Sequence, residues 1–350
     1  MRRFIVPSGA ILAAIATIAA LVATLVLVAI SGDSPAESLA AFAVRPFSSA
    51  WFLGNLLDRA GLALLAALGS SVALRSGNLN LGGEAQIYAP ALVSAAMLSA
   101  PGAAASGLLA FVAALLAAIA LGAALALVPG VLKTRLGASE ILTSFLLSAA
   151  ILPVLDYLVS GPLRNPEGNL LATREIEQSF RLPSLLPPSR LNPSFLVACA
   201  LAVAAAWFIS RTRAGYRLRV SGTAPEFARF AGINVGSVTA GAMAVSGALH
   251  GLAGFCAIAG TWFACHEGFS AGMGWTARAV ALIAGRSPLA AIPAALLVAW
   301  LQAAADATSL YSRVPVDVTA FIQAAIFLVI SARSLPGLVA RSRPRGARYD

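Results

Sequence analysis

From Ala85 to Leu132 the chain carries not one charged residue. A soluble domain has about a quarter of its residues charged, and a helix crossing a bilayer needs about 20 mostly apolar residues. The run therefore has room for two crossings, and its one interruption, Pro101-Gly102, marks the turn between them. The rest of the chain has the same character, with 59% of residues hydrophobic and 11% charged. Hydrocarbon offers no water to satisfy backbone groups, so segments of this kind close their hydrogen bonds internally as helices. The expected fold is an all-α polytopic membrane protein.

Uncharged runs predict about ten spans. They fall at 6–30, 53–74, two within 85–132, 139–159, 193–210, 237–259, a short one within 266–288, 288–308 and 316–332. Arg278 and Arg286 are what confine the short eighth span. The first run follows Arg2 and Arg3 and is longer than the roughly 7–15 residues of a signal-peptide core, so it reads as a retained helix. The basic residues sort by side. Arg2, Arg3, Arg75, Lys133, Arg135, the five arginines of 211–236, Arg286 and the five of the tail all fall in alternate connections, whereas 161–192 holds Glu167, Glu175 and Glu177. The positive-inside rule places both termini in the cytoplasm. The net charge of +10 is thus explained by loop placement and not by nucleic-acid binding. Cys199, Cys256 and Cys265 lack C-x-x-C spacing, so neither a disulfide framework nor a metal site is expected.

Two stretches break the apolar pattern. "RSGNLNLGGEAQ" (Arg75–Gln86) opens the third span, and "HEGFSAGMGWTARAVALIAGRSP" (His266–Pro288) contains the eighth. With ten spans these run in opposite directions, which predicts two inverted-topology halves with broken helices at the midplane. Non-helical backbone at membrane depth survives only where protein buries it or water reaches it, and paired interruptions point to a transport site. The expected substrate pathway comprises Asn78, Asn80, Gly82, Gly83, Glu84, Gln86, Phe269, Ser270, Gly272 and Gly274. Asn78, Asn80 and Gln86 suit an uncharged hydroxylated or amide-bearing solute. Glu84 either bonds the solute or caps the third span, where a carboxylate meets the positive end of the helix dipole. Phe269 and Trp275 could stack on a ring, or pack. His250 reads as a hydrogen-bonded core residue.

"SGTAPEFARFAGINVG" (Ser221–Gly236) reads as a short cytoplasmic helix. Thr223 and Glu226 form a capping box, Phe227 and Phe230 share an apolar face with Ala231, Arg229 lies among them, and Gly232 ends the helix. Such a face fits a groove on another protein. No G-x-x-x-x-G-K-[ST] phosphate loop occurs in the chain, so any ATP hydrolysis belongs to a separate subunit.

Four ordered motifs carry a resemblance. "NLNLGGEAQIYAPALVSA" resembles the "fNIGaEGQ" segment of membrane permeases from bacterial ABC importers of the simple-sugar and nucleoside class. "SEILTSFLLSAAILPVLDYLVSGPLR", "RTRAGYRLRVSGTAPEFARFAGINVG" and "GFSAGMGWTARAVALIAGRSPLAA" are similar to their later signatures. Ala85, Ser139 and Thr276 depart from the usual glycine, asparagine and acidic residue. The resemblance implies a single transmembrane permease domain over 1–350. Within it, an N-terminal helix and connection (1–50), a first half (51–160) and an extracytoplasmic loop (161–192) precede a second half (193–333, with a coupling loop at 211–236) and a basic tail (334–350). It further implies a nucleoside or simple sugar as substrate, and a bacterial inner-membrane location. The implied partners are a second and different permease chain, a cytoplasmic ATPase docked on Thr223–Gly232, and an extracytoplasmic solute-binding protein, with no cofactor in this chain. A stand-alone secondary transporter is the alternative. Glu84, Asp306 and Asp317 would be its candidate ion ligands, but no acidic pair lies within a clear span. Intramembrane catalysis by His250 and Cys256 lacks an orienting third group.

Overall fold

The computed structural model describes Val26 and residues 35–285 and 287–311. The predicted spans at 6–30 and 316–332, Asp317, Arg286 and the basic tail lie outside the described residues. The described chain is helical and falls into two compact units, one of Met1–Ser49 with Trp300–Asp350 and one of Ala50–Ala299.

In the first unit, α1 (Pro35–Ala43) is followed by a 3-10 turn at Arg45–Phe47. Phe42 packs edge-on against Trp300, with ring centroids 5.6 Å apart, and the Arg45 guanidinium lies 4.5 Å from the centre of the Tyr311 ring.

The second unit contains α2 (Ala50–Arg75), α3 (Gly83–Leu98), α4 (Leu108–Leu136), α5 (Glu140–Ser160) and α6 (Ser194–Arg211). After these come α7 (Arg213–Thr223), α8 (Pro225–Phe230), α9 (Val235–Cys256) and α10 (Met273–Ile283), and α11 (Ala291–Tyr311) begins in this unit. Among the described residues six helices are long and apolar enough to cross a membrane. The shorter α3 begins at the end of the first interrupted stretch, and α10 lies inside the second. α10 runs straight through Arg278, so that arginine lies inside the helix and does not bound it.

α2 and α9 are mostly buried, whereas α4, α5 and α6 turn Leu116, Leu142 and Trp207 outward. The centre is built on small residues. A Cβ on Gly247 would lie 2.0 Å from the Gly122 carbonyl oxygen, and one on Gly251 would lie 2.2 Å from that of Ala118. Ala118, Gly122 and Ala126 recur every four residues on one face of α4, which lets its backbone touch that of α9, the close approach that van der Waals packing in lipid rewards. Pro90, Pro129 and Pro153 sit inside helices, as spanning helices tolerate when neighbours satisfy the freed carbonyls.

The connection at 161–192 is not a free loop. It runs antiparallel along the end of α9 and the chain beyond it. The N–H groups of Thr173, Ile176 and Leu182 donate to the carbonyls of Cys265, Phe263 and Ala259, each at 2.8 Å. There α9 widens into a π-helical turn at Ala257–Trp262. Thr261 donates to Asp58 at 2.9 Å, and Asn192 donates to the same buried carboxylate at 2.8 Å.

Candidate translocation site at the crossing of two broken helices

α2 ends at Arg75, Gly77 follows in the left-handed region at φ +78°, and the chain stays unwound to Gly82. Most of the N–H groups freed there find partners. The Asn78 N–H returns to the Ala73 carbonyl at 3.0 Å. Those of Leu79, Leu81 and Ala85 donate to Glu140 Oε1, Ser144 Oγ and Ser148 Oγ at 3.4, 2.9 and 3.1 Å. The three acceptors are spaced by four on α5, hence on one face of it. That polar ladder in an otherwise apolar span was legible as a spacing, yet it went unread in the sequence.

The side chains of the break are buried and mutually satisfied. Asn80 Nδ2 donates to Gln86 Oε1 at 2.7 Å and to Ser246 Oγ at 3.0 Å, and Gln86 Nε2 donates back to Asn80 Oδ1 at 3.1 Å. Gln86 Oε1 also meets His250 Nδ1 at 2.9 Å. An amide oxygen only accepts, so Nδ1 carries the proton and Nε2 accepts from Ser70 Oγ at 3.3 Å. His250 is thus a hydrogen-bonded core residue. Asn78 stands apart from this group. Its Oδ1 accepts from Lys133 Nζ at 2.8 Å, and Lys133 pairs with Glu140 at 2.8 Å.

The second break begins at Phe263, held at φ +61° with the Arg181 guanidinium 4.6 Å from its ring centre. It ends at Gly272 (φ +84°), where α10 starts. The two breaks then meet. A Cβ on Gly274 would lie 2.5 Å from the Glu84 nitrogen, and one on Gly83 would lie 3.0 Å from the Gly274 Cα. Both helix N-termini converge at this point. Glu84 Oε1 accepts the Trp275 N–H at 3.0 Å, so Glu84 serves the first turn of α10 and not only its own helix. That N–H is one of the four an α-helix leaves unsatisfied at its start.

The crossing gathers Asn80, Gly82, Gly83, Glu84, Gln86 and Gly274. Phe269 and Ser270 are buried on the approach to Gly272. Phe269 packs with Tyr88, Trp262 and His266 at centroid distances of 5.9, 5.2 and 5.3 Å. Tyr88 in turn donates to Asp156 at 2.8 Å. Trp275 is half exposed and lies under the guanidinium of Arg278, 3.9 Å from its ring centre. Among the described residues, no group of three or more His, Cys, Asp or Glu is placed to hold a metal ion.

The predicted short helix is α8, which starts one residue later than the capping box required. The box does not form. α7 continues through Thr223, whose hydroxyl donates to the Arg219 carbonyl at 2.9 Å, and Ala224 takes the cap position without a side-chain bond. Glu226 pairs with Arg229 instead. Gly232 does end the helix in the left-handed conformation, at φ +75°. Phe227 is exposed, and Phe230 is 93% exposed.

Over 349 residues, which is 99% of its length and 90% of the relative's, the chain is 40% identical to a probable riboflavin import permease protein of Treponema pallidum. It is 30% identical to a glucose ABC transporter permease protein of Haloferax volcanii, over 87% of this chain and 82% of the relative. It is 27% identical to a guanosine ABC transporter permease protein of Bacillus subtilis, over 95% of this chain and 96% of the relative. No solved structure matches it significantly. The motif resemblance is borne out. The chain is a multi-pass membrane permease subunit of an ABC importer and not an enzyme. Matched over residues 52–331, it belongs to the family of the branched-chain amino acid transport system permease component.

Proposed function

We propose that this permease carries riboflavin or a close flavin inward across a bacterial cytoplasmic membrane. The observation that carries the reading is the 40% identity over nearly the whole chain to a probable riboflavin permease. The chemistry of the crossing supports it. A flavin joins a flexible polyol to a flat, uncharged heterocycle. Asn80, Gln86 and Ser246 offer neutral donors and acceptors, whose mutual bonds a polyol can replace one for one. Phe269 and Trp275 flank the crossing with ring faces. A nucleoside, one of the two substrate classes the sequence motifs imply beside a simple sugar, is the second reading, favoured by likeness to the guanosine permease.

In this reading the chain has ten spans in two inverted halves, with both termini in the cytoplasm. The importer also contains a second permease chain, an extracytoplasmic solute-binding protein, and a cytoplasmic ATPase that binds the ATP. The exposed Phe227 and Phe230 on α8 dock in the ATPase. Replacing both with Asp should abolish co-purification of the ATPase while leaving the thermal midpoint of the permease within a few degrees. Retained co-purification would refute the docking.

The substrate is tested by uptake of labelled riboflavin, guanosine and ribose in cells with and without the gene. Loss of riboflavin uptake alone is expected. Loss of guanosine uptake alone would move the substrate to nucleosides, and loss of ribose uptake alone would move it to free sugars.

A further inference from the structure

Arg278 is the one charged side chain inside α10, and it is only 8% exposed. Its Nη1 donates to the Asn80 carbonyl at 3.2 Å. Among the described residues its Nε and Nη2 have no hydrogen-bond partner. Buried polar groups are nearly always paired, and an exception calls for a reason. The two free groups share one edge of the guanidinium, so their N–H bonds point the same way as a ready fork. Trp275 covers a face of the same plane at 3.9 Å, which restricts its rotation. The opposite charge acting on Arg278 is the Glu84 carboxylate. Its Oε1 is taken by the Trp275 N–H, the one hydrogen bond found to Glu84 among the described residues.

The convergence of the α3 and α10 N-termini therefore carries a donor fork and a carboxylate acceptor of balancing charge. A matching ligand is neutral and sets a carbonyl oxygen beside a ring N–H. We propose that Arg278 and Glu84 together read the lactam or imide edge of a heterocycle in transit, Arg278 donating to the carbonyl and Glu84 accepting from the ring N–H. This rests on the flavin-or-nucleoside reading above. Flavins carry such an edge at N3 with its flanking carbonyls, and guanine carries one at N1 and O6. A simple sugar has neither.

Methylating the ring nitrogen removes the N–H that Glu84 would accept, without touching the protein. Equilibrium binding would be measured on the purified full-length chain with the subunits that co-purify. The ligands are riboflavin, 3-methylriboflavin, guanosine, 1-methylguanosine and ribose. The wild type should prefer riboflavin over its methyl derivative roughly tenfold or more, as sites built around a buried hydrogen bond do. Glu84→Leu, which removes the acceptor of the ring N–H, should bring that ratio to about one. Arg278→Met should weaken riboflavin and its methyl derivative alike, roughly tenfold or more, and Arg278→Lys, which keeps the charge but not the planar fork, should do the same. A merely structural arginine would change yield or melting and leave flavin affinity intact. Equal binding of both flavins by the wild type, a ratio preserved in Glu84→Leu, or full riboflavin affinity in Arg278→Met would overturn the assignment. Preference for guanosine over 1-methylguanosine, lost in Glu84→Leu, with guanosine weakened by Arg278→Met and without riboflavin binding, would refute flavin as substrate and uphold the role of the pair. Binding of ribose alone, or of no heterocycle, would overturn both.

Discussion

The two breaks solve the same problem by different means. Between Gly77 and Gly83 the unwound backbone is held by side chains of a neighbouring helix, Glu140, Ser144 and Ser148. Between Ala259 and Glu267 the backbone is held by another backbone, that of the 161–192 connection, through Leu171, Thr173, Ile176 and Leu182. The first arrangement fixes a short piece of chain against a rigid element and depends on three chosen residues. The second tolerates almost any side chain, but its support comes from a segment that itself lies outside the helices. The first break is therefore sensitive to substitution, and the second to whatever displaces the connection.

The comparison can be broken most severely where the breaks touch. Gly274→Val would push a side chain into the Glu84 nitrogen and the Gly83 carbon, both within 2.6 Å of the added Cβ. A clash with backbone leaves no rotamer escape, so a loss of about 3 kcal/mol or more is expected, seen as a collapse in the yield of folded protein from membranes. Ser144→Ala and Ser148→Ala test the side-chain ladder. Each strands a buried N–H, at a cost of about 1–2 kcal/mol. Melting of the purified chain should show it, and an unchanged midpoint in the double variant would mean that water takes over. Glu175→Ala tests the other arrangement. It removes the largely exposed Glu175–Arg181 pair but no backbone bond, so less than about 1 kcal/mol is expected, and a larger drop in melting would show that the connection relies on its side chains after all.

Much of this was readable in the sequence, for a plain reason. The length of an uncharged run reports how much chain the hydrocarbon can accept. The spans predicted at 53–74, 139–159 and 193–210 therefore coincide with α2, α5 and α6 to within a few residues. Glycine clusters beside polar residues located both breaks, whereas the glycines of α9 lie in an apolar run and serve close packing. The same rule failed where a charge is buried. Taking Arg278 as the end of a span hid it in the middle of α10, and nothing local showed that Asn192 and Thr261 enclose Asp58 from distant parts of the chain. The capping box failed because the basic stretch before it is itself a helix, α7, which absorbs Thr223. Pairings between residues more than a hundred positions apart leave no local trace in a single sequence.

One contact links α7 to the first break. Gly222, near the end of α7, sits where a Cβ would lie 2.1 Å from the Arg75 carbonyl oxygen and 2.8 Å from the Gly77 nitrogen. Main chain rests on main chain, with no side chain between them to rotate and take up slack. The joint has no play. A displacement of α7 must either carry Arg75–Gly77 with it, and so tug on the segment that holds Asn80, or open a gap that nothing nearby is shaped to fill.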